Sequence, residues 1–257
     1  MRVAACQLDI VWENKAANHA KVRALLDAAK LAPRSLFILP EMFATGFSMN
    51  VAGIAENTAP DSTPFLASLA KERGLFIMAG IVTKGAEGKG RNQSVVFSPE
   101  GKEIARYSKM QPFALAGELD HYAPGDEIVT FQCQDFLVAP FVCYDLRFPE
   151  IFREAARRAP HLITVIANWP VKRIHHWVAL LKARAIENQA YVVGVNRCGN
   201  DPKYQHNGRS LILDYHGEVL ADAGDGEKII SADLDLAELQ KYREEFPALK
   251  DMRNDCV

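Results

Sequence analysis

The sequence predicts an α/β fold in which the sheet is mixed, or in which two sheets pack face to face, and three observations carry that prediction. Apolar runs of strand length recur along the chain, several of them continuous rather than alternating, as in strands covered on both faces. Between some of these runs lie segments whose apolar residues have helical spacing, which places helices on the outside. Other runs are joined by tight turns, which make antiparallel hairpins and argue against a purely parallel sheet.

Taken in order, the run RVAACQLDI opens the chain and is followed by the helical pattern NKAANHAKVRALLDAAKLA. SLFILPEM is the second strand, and STPFLASLAKERG is a helix leading into the strand FIMAGIVT. SVVFSP turns through SPEGKE into the strand-like run that ends at Lys109. FLVAPFVCYD is a strand ending in a turn, and FPEIFREAARRA is the next helix, with Pro149 suited to its first turn, where a missing N–H costs nothing. LITVIANW, the helix HHWVALLKARAIENQA, the strands YVVGVNR and SLILDY, the turn YHGEV and the strand KIISADLDL complete the pattern. No linker, repeat or low-complexity tract interrupts it, so residues 1–257 are expected to form one domain ending in a polar helix and tail.

Composition narrows the function. Of 257 residues, 49% are apolar and 24% charged, ordinary values for a globular protein with a sizeable core. A formal charge of -2 with interspersed signs offers no basic footprint for a nucleic-acid backbone or a membrane surface. The N-terminus lacks the apolar region of a signal peptide, and no stretch approaches the ~20 apolar residues of a spanning helix, so a cytoplasmic location is expected. Five scattered cysteines, Cys6, Cys133, Cys143, Cys198 and Cys256, have no C-x-x-C spacing and suggest neither a disulfide framework nor a zinc site.

Three residues at strand ends bear chemistry. Cys143 follows FLVAPFV at a turn before a helix, where backbone N–H groups would favour a thiolate and hold an oxyanion. Read alone, it is as readily a buried structural cysteine. None of the seven histidines is an obvious base for it, which turns the search to carboxylates. Glu41 follows a strand and Pro40 among Phe37, Met42, Phe43, Phe47 and Met49, an apolar setting that would shield a general base; an exposed loop glutamate is the plain alternative. Lys109 ends a strand-like run before Pro112 and could present its charge to an oxyanion, although most lysines so placed are simply solvated.

Together and in this order, Glu41 in LPEMF, Lys109 in YSKMQPF and Cys143 in VCYDLRFPE resemble the Glu-Lys-Cys triad of the nitrilase superfamily, the carbon–nitrogen hydrolases. The resemblance spans essentially the whole chain. PEMFATGFSM, GELDHYAPGD, CYDLRFP, ANWP and KYREEFPALKD are similar to the omega-amidase branch, which hydrolyses the terminal amide of 2-oxoglutaramate and 2-oxosuccinamate.

The resemblance implies a four-layer α-β-β-α sandwich, a homodimer formed through helices flanking the active sites, and neither a metal nor an organic cofactor. It implies that Glu41 is the general base, Cys143 the nucleophile and Lys109 the charge on the amide oxygen, with the backbone N–H of Tyr144 also meeting the oxyanion. Glu118 in GELDHY would be a second glutamate beside the lysine, or else a surface acid. Phe43, Phe47, Phe113, Tyr144 and Trp169 are expected in the pocket wall, although each suits a plain core, and Asn168 is a polar contact for substrate. A keto diacid amide carries a carboxylate at its far end, which calls for a cation. Arg173, His175 and His176 are placed for this, with Arg147 and Arg197 as alternatives that would more readily pair with Asp145 or Glu187. A nitrile, an N-carbamoyl amino acid or deaminated glutathione would be the competing small-molecule substrates. A binding protein without catalysis, or a thiol redox module using Cys198 as partner to Cys143, are the readings outside hydrolysis.

Overall fold

The computed structural model describes residues 1–56, 61–85 and 88–253; Cys256 lies outside them. Two six-stranded sheets carry the fold. The first is ordered β14-β1-β2-β3-β4-β5, from Lys228–Asp233, Arg2–Gln7, Leu36–Ile38, Phe76–Lys84, Gly90–Phe97 and Glu103–Ser108. The second is ordered β13-β12-β9-β8-β7-β6, from Val219–Asp222, Leu211–Leu213, Tyr191–Asn196, Leu162–Ala167, Phe136–Val142 and Phe131–Cys133. Each sheet has three parallel central strands, β1-β2-β3 and β7-β8-β9, flanked by antiparallel ones. Both sheets are thus mixed, as the hairpin turns required. A small hairpin of β10 (Cys198–Asn200) and β11 (Gln205–Asn207) stands apart, in a stretch that reads as a polar loop.

The continuous apolar runs are explained by layers. In β1, Val3 and Ala5 join the packing between the sheets, whereas Ala4 and Cys6 face outward onto helices α1 (Lys15–Ala29) and α3 (Ser62–Arg73). The same alternation divides Leu36 and Ile38 from Phe37 and Leu39. Helices α5 (Pro149–Ala156) and α6 (Ile174–Glu187) cover the second sheet, Phe152 stacking on Phe141 at 4.0 Å. The result is a four-layer α-β-β-α sandwich in which the central strands are covered on both faces, and each buried Val, Ile, Leu or Phe side chain contributes about 1.5–3 kcal/mol.

The local signals are met in detail. Asn14 caps α1 by accepting from the Ala17 N–H, Gly74 ends α3 in the left-handed region, and Pro149 opens α5. The turns SPEGKE and YHGEV close the β4-β5 and β12-β13 hairpins. The polar C-terminal helix α7 spans Leu236–Glu245, capped by Asp235. Pro140 inside β7 has a simple reason: β6 pairs only with Phe136 to Val138, so β7 is itself an edge strand where the proline lacks an N–H.

Candidate active site

Four strand ends converge where the two sheets meet. The turn after β2 carries Glu41, and its backbone rests on Gly80 of β3, which donates to the Pro40 carbonyl and accepts from the Phe43 N–H, both at 3.1 Å. A Cβ on Gly80 would lie 2.5 Å from the Glu41 Cα and the Met42 nitrogen, so only glycine lets this turn seat. Met42 at φ 45° reverses the chain there. β5 delivers Lys109, β8 delivers Asn168, and β7 delivers Cys143, which itself has φ 50° at the sharp entry to a 3-10 turn over Cys143–Arg147. A cysteine held in this costly region presents its thiol clear of its own strand.

Asp145 pins that turn. Its buried carboxylate accepts from the Val142 N–H (2.9 Å), the Tyr107 hydroxyl (2.8 Å) and the Gln111 N–H (2.8 Å), binding the cysteine turn to the segment after Lys109. Burial pushes its carboxyl up to about 7, against those three donors. Among the described residues no arginine forms a salt bridge with it.

Glu41, Lys109 and Glu118 form a buried charged cluster. The Lys109 Nζ donates to Glu41 Oε1 at 3.2 Å and to Glu118 Oε2 and Oε1 at 2.8 and 3.0 Å. Asn92 of β4 bridges the carboxylates, donating to Glu41 Oε1 at 2.7 Å and to Glu118 Oε1 at 3.0 Å. The Asn168 N–H donates to Glu41 Oε2 at 2.8 Å, and its side-chain amide donates to the Glu41 carbonyl at 2.7 Å. Glu118, at the start of helix α4 (Glu118–His121), also accepts from the Phe113 N–H at 2.5 Å and is no surface acid. Contrary to the apolar setting expected for it, the Glu41 carboxylate is surrounded by donors.

Burial opposes charge on Lys109, but Glu118 and Glu41 outweigh it and hold the ammonium well above its ordinary range. Burial first, then Glu41, pushes the Cys143 thiol well up, with Lys109 and the Asn168 N–H acting against them. These surroundings favour the neutral thiol over the thiolate expected from a helix terminus; α5 begins only at Pro149, beyond the intervening turn. Such a thiol needs a base at the moment of attack.

Cys143 opens into a partly enclosed cavity. Phe47, Phe113, Tyr144, Asn168, Trp169 and Arg173 line it. Phe43 does not: past the reversal at Met42, its ring is fully buried in the outer layer against His19 and Phe65. His175 is exposed on α6 with its ring against His176, away from the cavity lining. Arg197 is a core residue tied to the Ile10 and Asn200 carbonyls and to Asp9 at 3.6 Å. Arg147 does line the cavity, lying over Trp169 at 4.7 Å, and Glu187 pairs instead with Arg184. Cys198 lies beside Cys6 and bridges to Asp9, remote from a resolving role at Cys143. Among the described residues no three His, Cys, Asp or Glu side chains converge as metal ligands would.

The carbon-nitrogen hydrolase family model matches residues 2–244. The chain is a carbon–nitrogen hydrolase. Its sequence is 38% identical to the omega-amidase YafV of Yersinia enterocolitica, covering 98% of this chain and 96% of that one. It is 32% identical to the 2-oxoglutaramate amidase of Bacillus subtilis, over 98% of both. XC1258 of Xanthomonas campestris, a CN-hydrolase superfamily protein solved with an arsenic adduct in its active site, superposes with a TM-score of 0.93 at 30% identity, covering 100% of this chain and 98% of that chain.

Other residues at the site of this hydrolase were missed by sequence reasoning. Asn92 was concealed in the polar opening RNQS of a strand, where an amide facing a buried site is itself the signal. Asp201, Tyr204 and His206, from the β10-β11 hairpin, complete the cavity wall of the hydrolase, and nothing in NDPKYQHNGR separates them from an ordinary loop.

Proposed function

We propose that this hydrolase is an omega-amidase, cleaving the terminal amide of 2-oxoglutaramate and 2-oxosuccinamate to the 2-oxo diacid and ammonia through a thioester on Cys143. The observation that carries the reading is the pair of guanidinium groups in the cavity. Arg147 lies over Trp169 at 4.7 Å with a nitrogen 3.2 Å from His176 Nδ1, and Arg173 lies over Phe113 at 5.5 Å. Neither has a carboxylate partner among the described residues, so both are available to a carboxylate at the far end of the substrate. The names of the Yersinia and Bacillus relatives point the same way.

In the chemistry we assign, the Cys143 Sγ attacks the amide carbon while Glu41 takes the thiol proton. The carbonyl electrons move to oxygen, where the Lys109 ammonium and the Tyr144 N–H stabilise them. The C–N bond then breaks as Glu41 returns the proton to nitrogen, and ammonia leaves. Water, deprotonated by Glu41, attacks the thioester and releases the acid and the thiol. Glu118 positions Lys109, and Asn168 positions Glu41.

The test is ammonia release from 2-oxoglutaramate, with glutamine and a simple nitrile alongside. The keto-amide is expected to exceed both by about 100-fold or more in kcat/KM. No release from it, with hydrolysis of another amide, overturns the substrate assignment.

We further assign residues 1–257 to one catalytic domain, acting in the cytoplasm as a homodimer. The four described cysteines are unpaired, which fits a reducing compartment. Ile186 on α6 and Phe246 after α7 are 53% and 58% exposed, apolar groups that a partner subunit would cover. Sedimentation equilibrium at micromolar concentration should return twice the chain mass; a single-chain mass rejects the dimer.

A further inference from the structure

The β10-β11 hairpin brings a second polar device to the cavity. His206 is 3% exposed and lines the cavity, and its Nε2 lies 2.9 Å from Asp201 Oδ2. Asp201 is itself fixed, because its other oxygen accepts from the Lys203 and Tyr204 N–H groups, both at 2.7 Å. The ring orientation is thus set by the hairpin, and Nε2 is committed to Asp201. His206 Nδ1 is buried and has no hydrogen-bond partner among the described residues. A buried ring nitrogen without a partner is costly, and at a cavity wall a bound ligand can complete it.

β11 packs against the Val171–Arg173 turn, which places His206 beside the segment that carries Arg173. The cavity wall therefore includes Arg147, Arg173 and His206 with a single anion, Asp201, whose oxygens are already engaged.

We propose that His206, oriented by Asp201, is a specificity-determining residue that donates from Nδ1 to the 2-oxo oxygen of the substrate and thereby selects 2-oxo amides over 2-amino amides. This inference rests on the omega-amidase reading. In the complex the ring lies between the Asp201 carboxylate and the substrate oxygen. An ammonium group at the same carbon would meet the Arg147 and Arg173 guanidinium groups, so glutamine is rejected by repulsion as well as by a lost hydrogen bond. His206 touches none of the reacting atoms. Its effect falls on substrate choice, and the acyl chemistry at Cys143 is left intact.

The experiment compares kcat/KM for 2-oxoglutaramate, for the monoamide of glutaric acid, which is the same chain without the oxo group, and for glutamine. For His206→Leu we expect a loss of about tenfold to 100-fold on 2-oxoglutaramate, with the glutaric monoamide changed less than about threefold. His206→Asn, whose side-chain amide can reach the place of Nδ1, should recover part of the loss. Asp201→Asn keeps an acceptor for the Lys203 and Tyr204 N–H groups while removing the anion, and should move the same ratio in the same direction. It serves as the second variant should His206→Leu fail to fold.

Equal losses on the oxo and the plain amide, or no change on either, overturn the inference while wild-type turnover of 2-oxoglutaramate leaves the omega-amidase reading standing. A wild-type protein that does not hydrolyse 2-oxoglutaramate overturns both.

Discussion

Cys143→Ala should abolish amide hydrolysis, lowering kcat by about 10⁴-fold or more, because no other group can form the thioester. The fold should be unaffected. Cys143 sits partly exposed to the cavity, and alanine must adopt the same φ of 50° that the cysteine already tolerates. A melting curve should shift by no more than a few degrees, and 2-oxoglutaramate should still raise the melting temperature, since Arg147 and Arg173 are untouched. Intact-protein mass spectrometry under rapid mixing should find an acyl adduct on wild type and none on the variant. Near-normal turnover would remove Cys143 from the chemistry. Because its surroundings favour the neutral thiol, Glu41→Gln should also slow adduct formation, by about 10²–10⁴-fold, without preventing binding. Adduct formation at the wild-type rate would show that Glu41 is not the base.

Lys109→Met carries the second large effect, and here stability and activity fall together. Lys109 is 2% exposed and is the only cation bonded to the Glu41 and Glu118 carboxylates among the described residues. Removing it leaves two carboxylates buried, joined only through Asn92 and facing each other's charge. Breaking a buried pair in this way costs about 3–5 kcal/mol, or roughly 6–20 °C in melting temperature for a chain of this size. Turnover should be lost as well, since only the Tyr144 N–H then meets the oxyanion. Adding Glu118→Gln to Lys109→Met separates the two roles. The double variant should regain part of the stability, measured by denaturant unfolding, and none of the activity. A Lys109→Met protein as stable as wild type would mean that the charge cluster is not what holds this region together.

The strands that carry the site were readable because burial on both faces leaves an unbroken apolar run, and the residue after each run is where the chain escapes the sheet. Glu41, Cys143 and Asn168 stand at such points, whereas Lys109 follows β5, whose first residues are exposed. Phe43 shows the limit of that reasoning. Proximity to Glu41 says nothing about direction once Met42 takes a positive φ, and periodicity cannot foresee that reversal. Asn92 is obscured for a related reason: whether a polar residue on a strand faces water or a buried carboxylate depends on what the other sheet brings opposite. The His206–Asp201 pair depends on a hairpin of two three-residue strands, too short to leave any pattern. The charge state of Cys143 depends on tertiary neighbours as well, because the carboxylates that repel its thiolate come from segments about 100 and 25 residues earlier.

The place of β14 has a consequence for how the molecule is made. This strand, Lys228–Asp233, pairs with β1 at the start of the chain, in register from Arg2↔Asp233 to Gln7↔Lys228. On the ribosome, every residue assigned to the chemistry emerges before it. Until Lys228 follows, β1 presents an unpaired row of N–H and C=O groups at the edge of the first sheet, a template for any other nascent chain. The last strand to be synthesised is therefore the one that removes the aggregation hazard of the first, and synthesis halted shortly before it would yield a chain with every catalytic side chain and an open edge.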